Sequence, residues 1–421
     1  MVKGAEQKHQ IGIAGRSERR LEAFTLEYFP CSTSRRKLVE ARTVALRRIL
    51  PAVFIPVLWC ALATPVCAAD LPAVSKAHFT GAQSCASSSC HGGGAGHNES
   101  LIYEKKDRHA VAAGILAKGT SLRIAEALGI EGDPGKAAQC TVCHSPMQAV
   151  APDRLVKGLK ADRGVSCESC HGPAEAWLRF HTRRDVTYEQ VVAVGLRDLN
   201  DLHGRANACV ACHLNLDEPI RRAGHPELHF EFDAQSLAQP PHYKDERPSL
   251  GPRSWLTGQA VALREMSWKL GTHRDEQLVA RWKALVWLLR KTDSGRKELT
   301  DGEDFAAMKT AADRLARNAS RTKWTGSQLM SQLKECVSAH AEFGDAKIEK
   351  AEHRRRAEVL VPAIDRLWVA WKKEGGATSP AFDPALDAAL RLAREQEDFE
   401  PSKFAAALQE LESALKQLPQ P

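Results

Sequence analysis

Eight cysteines between residues 85 and 212 form four pairs, and a histidine directly follows each pair. Two thiols spaced in this way can form thioether bonds with the two vinyl groups of one haem, and the adjacent histidine can then bind the iron. The sequence therefore predicts four covalently bound haems of the c type. The four sites are Cys140, Cys143 and His144; Cys167, Cys170 and His171; Cys209, Cys212 and His213; and a wider site formed by Cys85, Cys90 and His91.

Two other uses of paired cysteines fit the sequence less well. A structural zinc site does not need a histidine directly after every pair. A disulfide across a two-residue gap closes a strained loop. In the wider first site, the Ser-rich insertion can bulge without moving His91, so we expect a haem there as well. Cys336 stands outside the pairs, and we expect it to be an inert buried thiol.

Histidines outside the motifs are candidates for the second axial position of each iron. His109 lies where a helix could begin after the first motif, and His181 follows His171 so closely that it should reach a neighbouring haem. After the last motif, His225 and His242 compete for the same role. Iron with a histidine on each face suits electron transfer, whereas an open face lets a small ligand bind and react.

The first 69 residues are typical of an export leader. Two arginines precede an uncharged apolar run over residues 49–69, which ends in small residues and predicts a signal peptide cleaved before Asp70. The alternative is a retained membrane anchor, although three prolines interrupt the run. We therefore expect a periplasmic or secreted protein, in contact with a membrane only if the leader is retained.

The net charge of +7 belongs mostly to this leader. Residues 1–69 carry 11 Lys and Arg against 5 Glu, so the remaining residues carry 48 basic against 47 acidic side chains. A nucleic-acid partner is therefore not expected, because the mature chain has no basic excess.

The sequence pattern, and with it the predicted secondary structure, changes near residue 250. Residues 70–250 contain the motifs and many Gly and Pro residues, which predicts a multihaem domain with little regular structure. Residues 251–421 carry apolar residues at helical spacing, which predicts an all-α bundle of five or six helices with breaks near Gly375 and Pro384. We expect the tryptophans of these stripes to lie in the bundle core, and the basic run 353–356 to face solvent. The stripes are Val279, Trp282, Leu285, Val286 and Leu289; Leu360, Ile364, Leu367, Trp368 and Trp371; and Phe404, Leu408, Leu411, Leu415 and Leu418.

Residues 81–243 resemble the tetrahaem cytochrome c-554 family of the hydroxylamine-oxidising pathway. The resemblance rests on the second motif, on the string Gly-Val-Ser-Cys-Glu-Ser-Cys-His-Gly-Pro that ends at Pro173 with His181 beyond it, and on the last motif with the segment 229–233. The chain departs from the family in its widened first motif and in its long helical C-terminal half. The segment that should hold the fourth distal ligand also fails to align cleanly.

The resemblance implies a role for each histidine. His181 would lie opposite His91 on the first haem, and His109 would lie opposite His171 on the third. A histidine after the last motif would serve the fourth haem, opposite His213. The haem at His144 would have no distal protein ligand and would be five-coordinate.

These features favour an electron carrier that accepts electrons from one redox protein and passes them to another. The alternative is a redox enzyme that acts on nitric oxide, nitrite or hydroxylamine at an open haem beside His144, with no catalytic side chain of its own predicted. A structural or sensory haem module is a third hypothesis. In the carrier hypothesis the C-terminal helices would dock a partner or a second copy of the chain.

Overall fold

The computed structural model describes residues 77–93, 96–159, 164–242, 251–300, 302–395 and 398–418. The predicted leader, residues 1–69, lies outside them. The described residues form seventeen α-helices and seven short 3-10 helices, with no β-strand and one isolated bridge between Phe79 and Leu155. The prediction of a mostly α protein is therefore confirmed.

Residues 77–242, here called the motif region, contain short helices. Glycines and prolines between the motifs end each helix after a few turns. The α-helices are α1 (Glu99–Lys106), α2 (Ala112–Ile115), α3 (Gly119–Ala127), α4 (Ala138–His144), α5 (Cys167–His171), α6 (Tyr188–Ala193), α7 (Leu202–His213), α8 (Glu218–Arg222) and α9 (Phe232–Ala238). The 3-10 helices here are Ala82–Ser84, Arg108–Val111, Pro134–Lys136, Pro146–Ala149, Pro152–Arg154 and Phe180–Thr182.

Residues 251–418, here called the C-terminal helices, form eight α-helices rather than the five or six expected. They are α10 (Gly251–Leu270), α11 (Glu276–Leu289), α12 (Asp293–Glu298), α13 (Phe305–Arg321), α14 (Gly326–Val337), α15 (Lys350–Lys373), α16 (Phe382–Arg394) and α17 (Pro401–Lys416), with a 3-10 helix at Ser338–Gly344. One unexpected helix, α12, is too short to show a periodic pattern and starts at a cap in which Thr292 Oγ1 accepts from Gly295 N at 2.9 Å. Pro384 lies in the first turn of α16 rather than in a break, because the first turn needs no N–H donor.

The predicted apolar stripes form the core of the C-terminal helices. Every stripe residue of α15 and α17 is buried, and Trp368 is fully enclosed. In α11 four of the five are buried, while Val286 is partly buried against the core. The tryptophans are therefore core residues, as the helical spacing predicted.

The last part of the motif region shares this core. Leu202, Ala206 and Val210 of α7 belong to the same apolar cluster as the C-terminal helices, together with Phe230 and Phe232. A hydrogen bond also connects the two regions, since the guanidinium of Arg264 in α10 donates to the side-chain oxygen of Asn207 in α7 at 2.6 Å. The domain boundary at residue 250 stays a prediction, and the packing joins residues 202–232 to the helices that follow it.

The expectation that residues 353–356 face solvent is wrong. His353 is 3% exposed, and its Nε2 lies 3.1 Å from the carbonyl oxygen of Asp345. Arg355 is mostly buried and pairs with Glu358 of its own helix at 2.9 Å and with Glu227 of the motif region at 3.4 Å. Acidic partners within one helical turn and on the neighbouring segment compensate the buried charge.

None of the described helices is long and apolar enough to cross a membrane.

Candidate haem sites

The second, third and fourth motifs lie on helices that end at their histidines. Helices α4, α5 and α7 end at His144, His171 and His213. Cysteines three residues apart share one helix face, so both thiols and the next residue can face one flat ring. None of the eight motif cysteines forms a disulfide in the described part of the chain, so each keeps the thiol that the addition to a haem vinyl group requires.

The wider first motif forms a closed turn instead of a helix. The backbone N–H of His91 donates to the carbonyl oxygen of Cys85 at 3.1 Å, and that of Cys90 donates to Ser87 at 2.9 Å. The extra residues therefore bulge outward, while the backbone of His91 stays hydrogen-bonded to that of Cys85. Gly92 is needed here, because a Cβ at this position would lie 2.0 Å from the carbonyl oxygen of Ala86.

His91 and His181 face each other across a gap that fits one haem iron. Their ring centroids lie 6.2 Å apart and their planes differ by 8°. Two metal–nitrogen bonds of about 2 Å, with about 1 Å from each nitrogen to its ring centroid, place two axial centroids roughly 6 Å apart. This spacing fits the role that the resemblance implies for His181.

His109 forms the second such pair, and its partner is His213. The ring centroids lie 6.0 Å apart and the planes differ by 83°. The resemblance had implied that His109 lies opposite His171, and the structure differs. The reason is that the 3-10 helix Arg108–Val111 lies beside the end of α7, where Gln239 of the following segment also contacts Asp107 at 3.2 Å.

The two rival histidines lie near the other two motifs. Burial, with a smaller contribution from the charge of His242, lowers the pKa of His171 to about 4. Burial likewise lowers the pKa of His144 to about 4, with His225 adding to the effect and a hydrogen bond to the Ala112 carbonyl opposing it. These charge effects indicate that His242 lies near the third motif and His225 near the second.

Hydrogen bonds orient seven of the eight predicted ligands through Nδ1, which leaves Nε2 as the nitrogen that can face iron. The Nδ1 partners are Glu99 for His91, Asp107 for His109, Ala112 O for His144, Trp177 O for His181, the Gln235 amide for His213, Pro226 O for His225 and Pro240 O for His242. His203 and His353 differ, since their Nε2 atoms are engaged by Asp313 and by Asp345 O.

Contacts between thiols show which motifs are neighbours. A hydrogen bond with Cys167 lowers the pKa of Cys85 to about 7, and one with Cys143 lowers the pKa of Cys212. Burial raises the pKa of Cys209 to about 12, with the nearby Cys170 adding to the effect. The first motif is thus next to the third, the third next to the fourth, and the fourth next to the second.

Glu168, inside the third motif, holds the first and third motifs together. Its side chain is 1% exposed and accepts hydrogen bonds from the backbone N–H groups of Thr80, Gly81 and Ala174, at 3.0, 2.6 and 2.6 Å. Sequence reasoning assigned it no role. The sequence did contain a signal, because Glu168 is an acidic residue between two motif cysteines. A carboxylate buried at such a position needs several hydrogen-bond donors around it.

Several buried donors around the third motif have no protein partner among the described residues. They are the hydroxyls of Ser166 and Ser169 and the indole N–H of Trp177, whose ring lies 5.5 Å from that of His181. A haem carries carboxylates that accept such hydrogen bonds. The paired histidines, the reduced motif cysteines and the buried donors without a protein partner together fit covalent haem.

Comparison with known proteins finds a similarity over part of the motif region. Residues 84–172 match the family model described as cytochrome c554 and c-prime, and the match spans the first three motifs. It identifies the segment as that of a c-type cytochrome, a class that binds haem c covalently and transfers electrons outside the cytoplasm. Neither a search of curated proteins nor a search of solved structures finds a match.

Proposed function

From this match we propose that the chain is an exported tetrahaem cytochrome that carries electrons along a row of histidine-ligated haems. The observation that carries the proposal is the pair of facing rings, His91 with His181 and His109 with His213, each at the spacing that one axially bound iron requires. In each pair one histidine belongs to a Cys-His motif and the other does not. A haem iron supplies one-electron chemistry between its ferric and ferrous states.

The protein groups set the order in which electrons pass. The neighbouring thiols named above support an order of first, third, fourth and second motif along this row. Two motif cysteines and the axial histidines would hold each haem, which would supply one-electron chemistry when bound. We propose that electrons enter at one end of the row and leave at the other, between a redox donor and a redox acceptor.

The second haem is the point on which carrier and enzyme differ. His225 lies close enough to His144 for its charge to lower the pKa of His144, and its Nδ1 is held by Pro226 O at 2.9 Å like those of the other ligands. A distal His225 would close the face that a substrate needs. This arrangement supports the carrier over the enzyme that acts on a small nitrogen species.

The C-terminal helices stabilise the fourth site. Phe232 and Phe230 pack into their core, and Gln235, on the same short helix α9, lies 3.4 Å from Nδ1 of His213. We propose that these helices fix the fourth haem and offer their outer surface to a redox partner or a second copy of the chain.

The test uses the full chain, with its leader, in a bacterial host that attaches haem c. The mass of the secreted protein should exceed that of the polypeptide by four haems. A C85A/C90A double variant should lose one haem, whereas the matched control C336A should keep four. A secreted wild-type polypeptide without covalent porphyrin would refute the proposal.

Spectra of the same protein separate the carrier from the enzyme. We expect every ferric haem to be low-spin and slow to bind cyanide or nitric oxide. One high-spin haem that binds these ligands quickly would instead support the enzyme, with the His144 haem as its reactive site.

A further inference from the structure

Asp107 is a buried carboxylate in direct contact with a predicted axial ligand. Its side chain is 4% exposed, and Oδ1 lies 2.9 Å from Nδ1 of His109 and accepts from the His109 backbone N–H at 2.9 Å. Oδ2 accepts from Nε2 of Gln239 at 3.2 Å. Donors on two separate segments thus fix both oxygens.

Four of the other predicted ligands have weaker acceptors at Nδ1, and the Nδ1 atom of His213 lies 3.4 Å from the amide nitrogen of Gln235, which is a donor. His144, His181, His225 and His242 are held by neutral backbone carbonyls. His91 contacts a carboxylate, that of Glu99 at 3.1 Å, but both side chains are partly open to solvent, at 39% and 24% exposure. Water screens that charge far more than it screens the charge of Asp107.

We propose that Asp107 lowers the reduction potential of the haem held between His109 and His213. The inference rests on the proposed function. A carboxylate that accepts from Nδ1–H makes the imidazole a stronger electron donor, which favours ferric iron. Its negative charge in a buried site also stabilises the more positive oxidation state.

A purely structural role for Asp107 is the competing explanation. Asp107 also caps the 3-10 helix Arg108–Val111 through the His109 N–H. Asparagine can accept this capping bond and keep the size of the side chain, but it carries no charge. The variant D107N therefore separates the capping role from the electronic one.

The experiment is a spectroelectrochemical titration of the haem-loaded full chain, wild type against D107N. We expect one haem to shift about tenfold towards the ferrous state, which is about 59 mV upward for one electron. The other three potentials should stay in place, and the shifted haem should remain low-spin. In the matched control E99Q, the potential of the His91 haem should move by much less, because Glu99 is solvent-screened.

A second variant tests the sign in case D107N loads haem poorly. Q239L removes the Oδ2 donor, which leaves Asp107 a stronger acceptor for His109, so the same haem should move to lower potential. If all four reduction potentials stay unchanged in both variants, Asp107 does not have the proposed role. A high-spin haem in D107N would also overturn the proposal, because it would show that Asp107 only positions the ligand. Failure of the proposed function would appear separately, as missing haem in the wild-type mass.

Discussion

The ring centroids of His109 and His213 lie 6.0 Å apart, and the two ring planes are nearly perpendicular. His109 lies after the first Cys-His motif, and His213 is the histidine of the fourth motif. A single iron bound by both would therefore connect the early and late parts of the motif region. The His91–His181 pair has nearly parallel planes instead. Ring orientation alters the magnetic anisotropy of low-spin ferric iron, which gives the two pairs different paramagnetic resonance signatures.

The first prediction concerns these two pairs. H109A should remove the low-spin signal typical of perpendicular axial rings, and H181A the signal typical of parallel rings. Each should create one high-spin ferric haem, because the iron loses one axial nitrogen. Paramagnetic resonance of the haem-loaded variants checks this. In the control H273A, whose ring is 62% exposed and lies near Glu218 instead, all four haems should stay unchanged. A His109 variant with an intact signal set would disprove the pairing with His213.

Sequence reasoning could predict the core stripes, because they depend on local spacing, and the haem attachment sites stay a prediction. It could not place His109 beside His213, since that contact joins two segments that lie far apart in the chain. The resemblance led to His171 instead. The basic run 353–356 was assigned to solvent because its compensating partner Glu227 lies far away in the chain. Glu168 shows the same limit, since three of the groups around it come from Thr80, Gly81 and Ala174.

The second prediction is that Glu168 is a structural requirement of the first haem site. E168Q replaces an acceptor of three buried N–H groups by an amide that must turn its own donor towards one of them. We expect a loss of about 3 kcal/mol in the free energy of unfolding and poorer haem attachment at Cys85 and Cys90. Urea unfolding and haem-to-protein mass ratios measure the two effects. The exposed Glu131 offers the control E131Q, which should match the wild type; equal stability of E168Q would remove this role.

The third prediction follows from Glu231, which lines a cavity of about 50 Å³ between the motif region and α10, α11 and α15. Burial raises the pKa of Glu231 to about 7 from an ordinary 4.5, although Gln259 and Arg366 oppose the shift. Asp233 and Asp365 add to it. The Oε2 atom is buried and has no hydrogen-bond partner among the described residues.

The sign of the pH effect follows from this raised pKa. The folded protein holds the proton of Glu231 more tightly than the unfolded chain, so stability should fall as the pH rises from about 4.5 through 7. The loss amounts to roughly 3 kcal/mol above pH 8. E231Q should abolish this part of the pH dependence and be more stable than wild type at pH 8 when measured by urea unfolding. The exposed control E126Q should keep the wild-type profile, and a wild-type profile in E231Q would contradict the assignment.

The fourth prediction tests whether the C-terminal helices support the fourth haem. Gly258 of α10 lies against Phe232, and a Cβ at this position would lie 2.4 Å from the Cβ of Phe232. G258A should therefore push α9 away from α10 at a cost of about 1–3 kcal/mol in the free energy of unfolding. Because Gln235 of α9 lies beside His213, the spectrum of the His109–His213 haem should change while that of the His91–His181 haem stays constant.

A glycine-to-alanine change elsewhere separates this effect from a general one. A Cβ at Gly344 would meet nothing within 4 Å, so G344A should leave stability and all four haem spectra as in the wild type. If G258A lowers the stability of the chain without changing the spectrum of the His109–His213 haem, the C-terminal helices stabilise the fold but do not set the geometry of the fourth site. If it alters that pair alone, the shared core transmits packing from α10 to the ligand, and the C-terminal half is then part of the electron-transfer unit.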